Sequence, residues 1–192
     1  TLTRSVGENV GTYNVLLGSG AGVGSKYANY DVTYNVTNGA FGITPRPVSV
    51  TATSGQSKVY GEIDPAFNAT VQAQTTNAGL LSSDTLTGSL ARVAGEHVAT
   101  YAITRGTYTN ANNTNYDISF VASDFAITKR AITLAADTAT KIYGNTDPSL
   151  GVTLTVGSLA TIGGTADALS SVAGTLTRSV GENVGTYNVL LG

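Results

Sequence analysis

The sequence predicts an all-β chain of small modules in tandem, with little or no helix. Three observations carry this. Apolar and polar residues alternate with period two in one segment after another, the pattern of strands that face a core on one side and water on the other. The composition favours strands and tight turns: 30 Thr and 10 Tyr stand beside 23 Gly in 192 residues, and only 11% of residues are charged. The chain also repeats itself at two different periods.

The strands follow in chain order. Tyr30, Val32, Tyr34 and Val36 share one face, with Asp31, Thr33, Asn35 and Thr37 on the other. Val48, Val50 and Ala52 alternate with Ser49, Thr51 and Thr53, and Phe67, Ala69, Val71 and Ala73 with Asn68, Thr70, Gln72 and Gln74. Tyr116, Ile118 and Phe120 repeat the first set, and Val152, Leu154 and Val156 alternate with Thr153 and Thr155. One apolar and one polar face predict antiparallel sheet covered on a single side. Turns are expected where Gly and Asn cluster, at 18–24, at 110–115 and at Gly163-Gly164. One helical turn is expected at 82–86, capped by Ser82 or Ser83.

Residues 1–18 and 175–192 are identical, so the chain spans slightly more than one period of 174 residues. A weaker repeat lies inside that period. Lys58-Val-Tyr-Gly-Glu-Ile-Asp-Pro65 returns as Lys141-Ile-Tyr-Gly-Asn-Thr-Asp-Pro148, and Arg92-Val-Ala-Gly-Glu96 returns as Arg178-Ser-Val-Gly-Glu182. Asn29-Tyr30-Asp31 matches Asn115-Tyr116-Asp117, and Phe41-Gly-Ile-Thr-Pro-Arg46 matches Phe125-Ala-Ile-Thr-Lys-Arg130. Residues 47–130 therefore form one complete module. A second is cut in two, with its N-terminal half at 131–192 and its C-terminal half at 1–46. Thr1 opens in mid-pattern without the charged and apolar stretches of an export signal, and the array is expected to continue beyond Gly192 with Ser19-like sequence. The cut module is then completed by that continuation or by an adjacent copy.

Composition excludes several classes of function. A net charge of −2, a pI near 5.2 and no basic run longer than Lys129-Arg130 argue against nucleic acid, whose binding needs clustered Lys and Arg. No stretch approaches the roughly 18 apolar residues of a membrane helix, so the chain is not expected to be membrane-embedded. Cys, Met and Trp are absent, which excludes disulfides, thiol catalysis and thiolate metal sites. The junctions are short: Phe41-Gly-Ile-Thr-Pro-Arg-Pro runs into Val48, and Phe125-Ala-Ile-Thr-Lys-Arg into Ala131. Pro45 and Pro47 stiffen the first by fixing φ. Such junctions predict a rod that advances about 35–45 Å per module and about 70–90 Å per period.

The K-x-Y-G-x-x-D-P block, then G-[ST]-L-x-R-x-x-G-E, T-Y-x-[IV], N-Y-D and F-x-I-T-[PK]-R, in fixed order and found twice, resembles the YGX-type MBG repeats and the related YDG repeats. Such repeats occur in tandem in very large secreted bacterial adhesins, including filamentous-haemagglutinin-like proteins exported by two-partner secretion. The resemblance covers the complete module and both halves of the other. It implies a β-grasp-like or small β-sandwich module serving in a cell-surface stalk, and it supplies no catalytic residues.

Each candidate site has a structural counterpart reading. Tyr60, Gly61, Asp64 and Pro65, with Tyr143, Gly144, Asp147 and Pro148, read as a turn: Gly permits positive φ, Asp makes an Asx-type turn, and the Tyr ring packs inside. The competing reading is a ligand loop in which Tyr60 or Tyr143 stacks on a sugar. His97, the sole histidine, has Asn9 and Asn183 as its counterparts and reads as an exposed turn residue. Arg4, Arg92 and Arg178 stand four residues before Glu8, Glu96 and Glu182, a spacing that suits exposed ion pairs worth about 0–1 kcal/mol each. Asp31, Asp117, Asp124 and Asp147 are the oxygen donors from which a calcium site between modules would be drawn, though no EF-hand or RTX loop is present. Asn35, Asn68 and Asn112 fit the glycosylation sequon, as several sites in a chain rich in Asn and Thr do by chance. No cofactor is expected, and nucleophile, base and metal constellations are missing, which disfavours an enzyme. The leading reading is a structural repeat segment, stalk or matrix fibre, of a secreted bacterial surface adhesin, supporting cell adhesion or biofilm. Its expected partners are neighbouring repeats or adjacent copies, with extracellular polysaccharide or host glycans for the rival reading, a carbohydrate- or mucin-binding module.

Overall fold

A computed structural model describes residues 2–18, 27–35 and 40–191. In chain order its strands are β1 (Leu2–Arg4), β2 (Gly11–Leu17), β3 (Ala40–Ile43), β4 (Arg46–Ala52), β5 (Gln56–Val59) and β6 (Ala69–Val71). Next come β7 (Ala91–Arg92), β8 (Ala99–Thr104), β9 (Tyr116–Val121), β10 (Asp124–Thr128), β11 (Thr133–Ala136) and β12 (Val152–Val156). The last are β13 (Thr161–Ile162), β14 (Thr165–Ala166), β15 (Leu176–Arg178) and β16 (Val189–Leu191). Among the described residues helix is confined to a 3-10 turn at Tyr27–Asn29 and the short α1 (Leu169–Ala173). The chain is all-β, as its alternation requires.

Two compact units divide the chain, the first made of residues 1–54, 66–93 and 102–124. Its core is the face of β4 that carries Val48 and Val50, both essentially buried, joined by Leu86, Tyr116 and Ile118. β4 is flanked by β6, antiparallel, and by β9, which runs parallel from Arg46↔Tyr116 to Thr51↔Val121. The expectation of purely antiparallel sheet is thus corrected. β4 comes first in its module and β9 returns near the end, so the returning strand enters alongside the first in the same direction.

Polar side chains brace this core. The Tyr116 hydroxyl donates to Asp84 Oδ2 at 2.6 Å and accepts from the Leu81 N–H at 3.2 Å. Burial and the neighbouring carboxylate push that phenol above its ordinary pKa. Buried Asn113 accepts from the Thr87 N–H at 2.7 Å and donates to the Thr87 and Thr109 carbonyls, so the expected turn at 110–115 also supports a distant loop. Arg46 donates to the carbonyls of Gly79 (2.8 Å), Ala78 (2.7 Å) and Thr75, which gives the terminal Arg of the F-x-I-T-[PK]-R motif its role.

The same unit holds the antiparallel sheet β1-β2-β3, with Leu2↔Leu17 and Tyr13↔Phe41 in register. The strand expected from Tyr30 onward is absent at 31–35, and Tyr30 is 70% exposed where its counterpart Tyr116 is 5% exposed. Its counterpart β9 is held in place by β4, in register from Arg46↔Tyr116 to Thr51↔Val121. Val36 and Thr37, and residues 19–24 of the expected first turn, lie outside the described residues. At 82–86 the chain makes a turn closed by Asp84 N–H to Leu81 C=O (3.0 Å) in place of the expected helical turn.

The second unit comprises residues 55–65, 94–101 and 125–192. β5 and β10 pair in parallel, Phe125↔Gln56 through Thr128↔Val59, and bury Phe125 and Ile127. β11 and β12 pair antiparallel with a bulge between Thr133 and Leu134, and β15 pairs with β16. β13 and β14 close through Gly163-Gly164 with φ of 58° and 84°, the two-residue turn whose left-handed backbone glycine supplies.

Because Phe125 is fully buried and Phe41 is 47% exposed, equivalent substitutions separate the two copies of the motif. Phe125→Ala should destabilise by about 3–5 kcal/mol, and Phe41→Ala by about 1 kcal/mol or less. Urea unfolding of the two variants checks this.

Candidate functional site

The repeated motifs converge on one lysine. Lys58 lies on β5, and the chain turns back beyond it through Gly61, whose φ of 82° favours glycine. The turn carries Asp64 to within 2.7 Å of the lysine Nζ (Asp64 Oδ1), and Glu96 Oε2 reaches the same Nζ at 2.5 Å. The Lys58 side chain is only 4% exposed. An ammonium taken out of water this far is strongly disfavoured unless it is paired and hydrogen-bonded. Burial works to lower its pKa, but the hydrogen bonds and charges of Asp64 and Glu96 outweigh burial and raise it, so the lysine stays protonated.

The second copy has the same clasp, and there an arginine joins it. Lys141 Nζ lies 2.6 Å from both Asp147 Oδ1 and Glu182 Oε2. Arg178 forks onto Asp147 with Nε at 2.8 Å and Nη2 at 3.1 Å, and also pairs with Glu182. Hydrogen bonds from Arg178 and Lys141 hold the Asp147 carboxyl at about 2, against an ordinary 3.8. The same two cations, Lys141 first, lower Glu182. Charges so saturated tie segments together across the neutral range and leave no group poised to exchange a proton there.

A glycine–tyrosine contact accompanies each G-E pair. A Cβ on Gly95 would lie 2.2 Å from the Tyr101 ring, and one on Gly7 or Gly181 would lie 2.3 Å from Tyr13 or Tyr187. These glycines also have φ near 150°. Each tyrosine hydroxyl donates back to a carbonyl: Tyr13 to Asn9 and Tyr187 to Asn183 at 2.7 Å, and Tyr101 to His97 at 2.9 Å. Arg4 and Arg178 stack over Tyr13 and Tyr187 at 5.1 and 5.0 Å. The motif R-x-x-G-E-x4-Y is thus a packed corner in which the ring requires the glycine.

The structure revises several readings of the residues. Asp64 and Asp147, expected to make Asx-type turns, are the lysines' partners. Tyr60 is partly buried, with its hydroxyl 3.4 Å from Asp167 Oδ1, and Gly61 backs onto Ala160. Tyr143, expected to pack inside like Tyr60, is 68% exposed, and Gly144 faces open space. Pro65 and Pro148 are exposed at the turn exits, and His97 is exposed in a bend. The pairs Arg4–Glu8 and Arg178–Glu182 form, the first at 2.5 Å. Among the described residues no three acidic or histidine side chains gather around a cation site; Asp117 accepts from Asn110, and Asp147 belongs to the clasp. Asn35, Asn68 and Asn112 are exposed, and the Asn112 amide donates to the Thr107 carbonyl. A cavity of about 340 Å³ opens between Lys141 and Tyr143 on one side and Tyr187 and Val189 on the other.

Sequence reasoning gave the lysines no role. The signal was there: of four lysines in the chain, two lead the repeated block, each with an Asp six residues on.

The fold and the clasp define a β-rich repeat module whose motifs occur twice in the chain. The model of the MBG domain (YGX type) matches residues 48–126 and again 132–192, and the chain belongs to that family. No curated protein and no solved structure matches the chain.

Lys58→Met should destabilise by about 3 kcal/mol, the low end for breaking a buried pair, because both carboxylates are partly exposed and can hydrate. Chemical denaturation measures it. Gly95→Ala should also destabilise, since the methyl meets the Tyr101 ring and the backbone angle is strained, and Tyr101→Ala in the same chain should relieve the clash. The pH dependence follows from the shifts. Asp147 and Glu182 are lowered in the folded state, so their contribution is complete above the ordinary carboxyl range and disappears as pH falls toward about 2. Lys58 and Lys141 are raised, so theirs is complete below 10.5 and is lost as pH rises beyond it. Stability should be flat between about pH 5 and pH 10 and fall on both sides, as read by melting temperature across buffers.

Proposed function

We propose that this chain is a structural repeat segment, a stalk or matrix fibre, of a secreted bacterial adhesin, and that it supports cell adhesion or biofilm without chemistry of its own. The observation that carries this reading is the exact 174-residue period within a family of repeat modules. The junctions support it. β3 ends at Ile43 and β4 begins at Arg46, and β10 ends at Thr128 and β11 begins at Thr133, so successive repeats have almost no slack between them. A flexible string would need a Gly/Ser linker at these points. Low charge and the absence of Cys and Met suit long exposure outside the cell. Among the described residues no helix is long and apolar enough to cross a membrane.

The exposed Tyr143 ring beside the cavity favours a second reading, a carbohydrate- or mucin-binding module. Its weakness is that the matching Tyr60 is partly covered, so the same aromatic face does not recur in the complete module. Small-angle scattering on chains of one, two and three periods tests the stalk: the maximum dimension should grow linearly, by about 70–90 Å per period. Growth near the square root of repeat number would mean flexible beads. Glycan-array binding lost in Tyr143→Ala, with melting unchanged, would favour the second reading.

A further inference from the structure

The compact units do not follow the boundaries of the sequence repeat. The second unit gathers residues 55–65 and 94–101, which belong to the repeat at 47–130, with residues 125–192. The K-x-Y-G turn of one repeat therefore folds together with the repeat that follows it.

Two adjacent residues of that turn meet the following repeat. Gly61 lies so close to Ala160 that a Cβ on the glycine would stand 2.4 Å from the alanine Cβ, and Ala160 is 3% exposed. The Ala160 carbonyl accepts from the Asp167 N–H at 2.8 Å, and the Asp167 carboxylate stands 3.4 Å from the Tyr60 hydroxyl. The arginine that closes the repeat acts at the same place. Arg130 Nε donates to the Tyr60 carbonyl at 2.9 Å, Nη2 pairs with Glu62, and Nη1 lies 3.4 Å from Ser158 Oγ in the loop after β12. Within the first unit Arg46, which closes the preceding repeat, reaches the loop after β6 through the carbonyls of Thr75, Ala78 and Gly79. Both copies of F-x-I-T-[PK]-R thus end in an arginine that bonds to the repeat coming next.

We propose that the Tyr60-Gly61 turn is a docking surface for the following repeat, and that Ala160 and Arg130 hold the two together without play. Glycine at position 61 then meets two demands at once. It supplies the positive φ of the turn that returns Asp64 to Lys58, and it leaves room for Ala160. Arg130 clamps the turn from its other side by bonding to its backbone and to Glu62. The inference rests on the stalk reading and assigns the stiffness of one joint to named contacts.

The test uses the intact chain, which has no cysteine of its own. Thr100→Cys on β8 and Val156→Cys on β12, both exposed, carry spin labels in the two successive repeats. The distance distribution between the labels should be a single narrow peak. Arg130→Gln, which removes the clamp, and Ala160→Leu, which overfills the contact, should each broaden it while circular dichroism stays that of the parent. A broad distribution in the labelled parent overturns the proposal, whether or not either variant folds. So does a narrow peak that neither variant broadens. Linear growth in scattering beside a broad label distribution would leave the stalk standing and remove this contact. A narrow distribution beside square-root growth would keep the contact and remove the stalk.

Discussion

A lysine drawn out of water between two carboxylates sets the terms for the rest of this repeat. Lys58 can keep its charge in a site 4% exposed only if Asp64 and Glu96 both reach it, and those residues come from segments far apart in the chain. The turn at Gly61 exists to return the aspartate, and the corner at Gly95 and Tyr101 exists to present the glutamate. The fixed order of the motifs is therefore a geometric requirement. The same ammonium–carboxylate geometry holds at Lys141, Asp147 and Glu182, where the lysine side chain is 20% exposed.

The duplicated eighteen residues separate what sequence dictates locally from what neighbours add. Both copies make the same hairpin, the same arginine-on-tyrosine stack and the same tyrosine-to-carbonyl bond. These are properties of the segment. Extension of the strand to seven residues depends on β3, and recruitment of the arginine–glutamate pair into a four-charge cluster depends on Lys141 and Asp147. Glu8 has only Arg4 as a charged partner among the described residues, and its side chain is 86% exposed.

Much of the fold was legible. The alternation at Val48, Val50 and Ala52 named the central strand and its buried face, and Val152, Leu154 and Val156 named β12. Gly163-Gly164 named a hairpin turn. Alternation failed at 31–35 because period two describes only how a strand would present its side chains. Whether the strand forms depends on a neighbour, and that information lies elsewhere in the array. It could not reveal parallel pairing either, since the periodicity is the same in both directions. Of the site, Asp64 reads locally as an Asx-type turn and Glu96 as the partner of Arg92, four residues before it. The lysine that joins them is 38 residues from Glu96, beyond the reach of local pattern.

Hydrogen exchange on the chain tests the central claim that neighbouring strands and the lysine clasp, not local sequence, order the repeat. Amides of β4, β5, β9 and β10 should exchange slowly, and those of residues 139–142, the sequence equivalent of β5, should exchange near the rate of an unprotected chain. Lys58→Met should bring β5 toward the behaviour of 139–142. Equal protection in β5 and in 139–142, or β5 amides indifferent to loss of the lysine, would contradict the account.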